Sequence, residues 1–84
     1  MSESGQEGMA SSEQLRAARA MAGLSQSDLA SMTGKTSKTI RRAETDVRTV
    51  ASDTVAAIRS ALEGAGVEFL DADNGGAGVR LRKG

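Results

Sequence analysis

Cysteine, histidine, proline, tryptophan and tyrosine are all missing from this chain of 84 residues, and Phe69 is its one aromatic. Without cysteine there is no disulfide framework, and without cysteine or histidine no thiolate or imidazole metal centre. The same absences leave few parts for an active site, and no constellation of nucleophile, base and metal can be assembled, so an enzyme is not expected. No cofactor is expected either. Long apolar runs are lacking, which argues against a membrane-spanning helix. The opening stretch from Met1 to Gly8 is polar and acidic with no apolar core, unlike a secretory signal. Together these absences point to an ordinary soluble cytoplasmic protein. With proline gone, glycine must do all the punctuating.

A net charge is absent too, since 11 basic residues balance 11 acidic ones. The balance is uneven along the chain. Between Ser12 and Val50, seven basic residues (Arg16, Arg19, Lys35, Lys38, Arg41, Arg42, Arg48) stand against four acidic ones (Glu13, Asp28, Glu44, Asp46), and the acidic excess lies in both flanks. Local charge on a contact surface governs phosphate attraction more directly than the total does. The length suffices for one small domain and little more.

The basic segment carries ordered local signals. Ser25 is a good N-cap, and Asp28 three residues on completes a capping box. Leu29, Ala30 and Met32 give the helix that follows an apolar face. Gly34 supplies the positive φ that ends it and turns the chain. Thr36 caps a second short helix from about Ser37 to Thr45, with Ile40 and Ala43 turned inward. Its other face carries Ser37, Lys38, Arg41 and Arg42. Two short helices about a glycine turn, the second basic outside, predict a helix-turn-helix.

Upstream, Met1 to Ala10 reads as a disordered leader. Ser11 and Gln14 form another capping box and open a helix to about Ala22, with Leu15, Ala18 and Met21 or Ala22 facing the core. Gly23 ends that helix, and Leu24 can plug the gap before the next. Downstream, a helix from Ser52 or Asp53 to about Glu63 should bury Val55, Ile58 and Leu62, with Gly64 and Gly66 as its stop. The last segment differs in kind. Val67 to Asp71 and Val79 to Arg82 alternate in polarity, and Asp73-Asn74-Gly75-Gly76 between them is a hairpin signal. Glu68 is expected opposite Arg80 or Arg82. An isolated two-stranded ribbon is marginal in water, so the hairpin must lean on the helices or meet a second copy.

Ser25-Gln26-Ser27-Asp28-Leu29-Ala30, Gly34, and Thr39-Ile40-Arg41-Arg42-Ala43-Glu44 resemble the Cro/phage-repressor type of helix-turn-helix regulator. Leu15 to Arg19 and Gly23-Leu24 fit the same pattern, so the resemblance runs roughly from Ser11 to Leu62. It departs from the family at Lys35, where a small apolar residue is usual, and between Thr45 and Ala51, which lack the usual Gly and Pro. The expected fold is mainly α, a four-helix Cro/repressor-like domain over residues 11–66, followed by a β-hairpin over residues 67–84.

The resemblance implies base contacts from Ser37, Lys38 and Arg42 on a recognition helix in the major groove. Phosphate contacts are expected from Gln26, Thr36, Thr39, Arg41 and Arg48. In the resembled family the positions of Arg19 and Glu44 form a partly buried ion pair, a structural role. Val67, Phe69, Val79 and Leu81 are candidates for a homodimer contact through the strands. A solvated basic face is the alternative for Lys38, Arg41 and Arg42.

Three further patterns are weak. Gly34-Lys35-Thr36 lacks the upstream glycine of a phosphate-binding loop, that position being Leu29. Asp71, Asp73 and Asn74 lack the glutamate that closes a calcium loop, and Gly64-Ala65-Gly66 follows a helix rather than a strand. Two function classes remain. One is a double-stranded DNA-binding transcriptional regulator, a repressor or autoregulator acting as a homodimer on a two-fold operator. The other is a protein-binding regulator on the same fold, an antitoxin or antiactivator that masks another protein; the neutral net charge, the acidic flanks and Lys35 favour it. The basic face of the second short helix favours DNA binding, which stands first.

Overall fold

The computed structural model describes residues 10–71 and 77–82. Helix α1, Ser12–Ala22, begins at a reciprocal capping box: the Ser11 hydroxyl accepts from the Gln14 amide, and the Gln14 side chain accepts from the Ser11 N–H. Helix α2, Gln26–Thr33, opens on the same device from Ser25 and Asp28, and the backbone N–H of Ser25 holds the Asp28 carboxyl below the usual carboxylate range. Gly23 and Gly34 close these two helices at φ of 72° and 71°, a region open to glycine without a Cβ clash. Thr36 caps α3, Ser37–Thr45.

A single 3-10 turn, Val47–Thr49, fills the stretch where the family's Gly and Pro are missing. Asp46 makes that turn possible by accepting from the Arg48 N–H and by a two-pronged ion pair with the Arg48 guanidinium. Helix α4, Ser52–Gly64, takes Gly64 into its last turn, so the chain reverses at Gly66 (φ 102°) rather than at both glycines. Strands β1, Val67–Leu70, and β2, Gly78–Leu81, pair antiparallel in the register Val67↔Leu81, Glu68↔Arg80, Phe69↔Val79 and Leu70↔Gly78. The Asp73 to Gly76 turn signal and residues 1–9 of the leader lie outside the described residues.

One core joins all these elements. Leu15, Leu29, Ile40, Val55, Ile58, Leu62 and Val67 are fully buried, as the helical and strand periodicities require. Ala10, assigned by its neighbours to the leader, is buried with them. Met21 and Met32 are exposed instead, at 41% and 49%, because Ala22 and Ala30 take the inward positions of α1 and α2. The hairpin leans on the helices: Val67 and Phe69 are buried, Val79 packs against the core, and Leu81 stays half-exposed. Arg59 of α4 lies over the Phe69 ring, 4.9 Å from its centroid, which adds a cation–π contact to that packing. Glu68 and Arg80 pair across the outer face at 2.9 Å.

Side chains of α1 fasten the distant parts. Gln14, already in the capping box, donates its amide to the carbonyls of Leu70 (3.2 Å) and Gly78 (3.0 Å), tying the last strand pair before the connecting loop to α1. The Ser12 hydroxyl accepts from the Val47 N–H at 2.9 Å and anchors the 3-10 turn. No helix among the described residues is long and apolar enough to cross a membrane.

Candidate nucleic-acid interface

The angle between α2 and α3 is held from beneath by Glu44. Its carboxylate, almost fully buried, accepts from Arg19 Nε at 2.6 Å, Arg19 Nη2 at 3.1 Å and Gln26 Nε2 at 3.1 Å. These hydrogen bonds hold the Arg19 guanidinium above its ordinary pKa. Arg19 also donates to the Leu24 carbonyl, and Arg16 donates to the Glu44 backbone carbonyl at the end of α3. Buried charge is costly unless paired and hydrogen-bonded, and here it is both. One residue thus joins α1, α2 and α3 in a fixed arrangement.

With Ile40, Ala43 and Glu44 buried, the opposite side of α3 presents Lys38, Arg41 and Arg42 to solvent. Every arginine outside α3 among the described residues has a partner. Arg16 and Arg19 serve Glu44, Arg48 holds Asp46, Arg59 holds Glu63, Arg80 holds Glu68, and Arg82 donates to the Glu63 carbonyl. The side chains of Arg41 and Arg42 have none, nor does that of Lys38. A free guanidinium keeps all five donors available for carboxylate, phosphate or a base edge.

The other expected contact residues are placed differently. Ser37 is half-buried, its hydroxyl 3.4 Å from that of Ser27 at the start of α2. Gln26, also half-buried, spends one amide hydrogen on Glu44 and retains the other. The Thr36 hydroxyl is engaged at the α3 cap with the Thr39 N–H and hydroxyl. Arg48 is exposed but bound to Asp46, which raises the arginine's pKa and lowers the aspartate's. Of the dimer candidates, Val67, Phe69 and Val79 face the chain's own core and Leu81 is exposed.

Three residues escaped the sequence reading. Thr45, Asp46 and Thr49 line one open concavity together with Lys38, Arg41 and Arg42. The spacing of Lys38, Arg42 and Thr45 along one helical stripe was a usable signal for the first of them. Asp46 and Thr49 depend on the 3-10 turn, which periodicity does not reveal.

Fold and surface together define a helix-turn-helix domain with an exposed basic second helix. A family model described as Helix-turn-helix (HTH_3) matches residues 15–69. The chain belongs to this family of Cro/C1-type DNA-binding regulators. No curated protein matches it.

Proposed function

We propose that the chain is a sequence-specific regulator of transcription that lays α3 in the major groove of a two-fold operator. The observation that carries this reading is the sorting of arginines: those elsewhere among the described residues are bound internally, while Arg41 and Arg42 on α3 are free. Arg42 is suited to a bidentate contact with guanine, Lys38 to guanine or phosphate, and Ser37 to a less selective contact. Gln26, with its second amide hydrogen, and Arg41 serve phosphates, with Thr36, Thr39 and Arg48 at the edges of the footprint. The expected action is repression by occupancy, including at its own promoter.

A two-fold operator calls for two copies, with half-sites about 34 Å apart. We assign the contact between copies to the hairpin, where the apolar side chain of Leu81 is half-exposed beside Val79. The test of DNA binding is fluorescence anisotropy with duplex from upstream of the protein's own gene, beside a scrambled duplex, across a salt series. Tight binding to the first that falls steeply with salt supports the reading. Equal weak binding to both, followed by capture of a single protein in a pull-down from the native cell, supports the protein-masking regulator instead.

A further inference from the structure

The concavity at the end of α3 has a cationic rim and an aliphatic floor. Lys38, Arg41 and Arg42 provide the rim, and its volume is about 320 Å³. Both threonines that line it spend their hydroxyl protons on backbone carbonyls. Thr45 donates to the Arg41 carbonyl at 2.9 Å, and Thr49 to the Asp46 carbonyl at 2.7 Å. Each threonine's γ-methyl is the group left outside those bonds. Asp46, the one acid in the lining, is held by Arg48. A concavity so built repels nothing anionic, yet its centre offers no hydrogen-bond donor from the threonines for a phosphate oxygen.

We infer that this concavity reads the 5-methyl group of a thymine in the major groove, with the Thr45 methyl as the contact that sets specificity. The inference rests on the DNA-binding reading above and goes further by naming a base and the group on it that is read. Lys38 and Arg42, the two charged base readers, line the same concavity, so duplex DNA engaged by them is brought against Thr45. In the major groove the methyl distinguishes thymine from the other bases, and a threonine methyl is a suitable apolar partner. The cations complement the phosphates on either side of that base.

The test begins with a duplex enriched from a random pool by the intact protein. Each thymine is then replaced singly by deoxyuridine, which removes the methyl and nothing else. Binding is measured by anisotropy for the native protein, Thr45→Ser and Thr45→Val. One thymine per half-site is expected to lose about fourfold in affinity on replacement, the worth of one buried methyl. Thr45→Ser, which keeps the hydroxyl but lacks the methyl, weakens binding by the same factor and becomes blind to the replacement. Thr45→Val, which keeps a methyl, stays sensitive. A flat deoxyuridine scan on an enriched duplex overturns the inference and leaves DNA binding standing. So does undiminished sensitivity in Thr45→Ser. A pool that yields no preferred duplex overturns both readings.

Discussion

Glu44 combines burial, charge and reach across three helices, so its removal is felt first in stability. Glu44→Ala strands the Arg19 guanidinium, which is itself only 23% exposed, without a counter-ion. We expect a loss of about 3 kcal/mol. In a domain this size that lowers the melting temperature by more than 10 °C, on the order of 4–8 °C per kcal/mol, as calorimetry would show. Arg42→Ala should do the opposite: melting unchanged, since the side chain is exposed and unpartnered, but discrimination between operator and scrambled duplex reduced by about 1–3 kcal/mol. Asp28 adds a pH dependence. Its carboxyl is held low by the Ser25 N–H, so it stabilises the fold above the usual carboxylate range. That contribution is lost as pH falls through the depressed value, and Asp28→Asn should flatten the acid limb of a melting-temperature profile.

At the scale of elements, the helices are set by local signals and the hairpin by remote ones. Ser11, Ser25 and Thr36 each sit three residues from the groups they cap, so their roles are visible in the sequence. The amide of Gln14 is another matter, because its targets Leu70 and Gly78 lie 56 and 64 residues away. Gln14→Ala leaves two strand carbonyls and a helix cap without their partner. We expect a cost of about 1–3 kcal/mol, concentrated in the hairpin. Hydrogen exchange should then accelerate in β1 and β2 before it does in α2 or α3. An unchanged exchange pattern would mean that the core contacts of Val67 and Phe69 alone hold the strands.

For the whole molecule the question is how many copies act together. The helices cover Val67 and Phe69, which settles where the hairpin's inner face goes and leaves Leu81 as the exposed apolar group at its edge. If the hairpin joins two copies, sedimentation at high micromolar concentration should give the mass of a dimer, and Leu81→Asp should return it to a monomer with its helices intact. A monomeric native protein at that concentration removes the hairpin from the proposal. The salt slope of DNA binding reports on the same assembly, because each phosphate neutralised adds to it and two copies double the number.

The sequence by itself determined the elements whose cause is local: capped starts, glycine stops at Gly23 and Gly34, buried rows at helical or strand spacing, and the Glu44–Arg19 pairing implied by family likeness. Neighbours within a few residues interact in any arrangement of the rest, so such features need no knowledge of it. Only the tertiary structure decided that Met32 faces solvent and Ala10 the core, that the hairpin folds onto α1 and α4, and that Arg48 belongs to Asp46 while Arg41 and Arg42 remain free. Each of those outcomes depends on which distant surfaces meet when the chain closes. Periodicity along one segment carries no record of that closure.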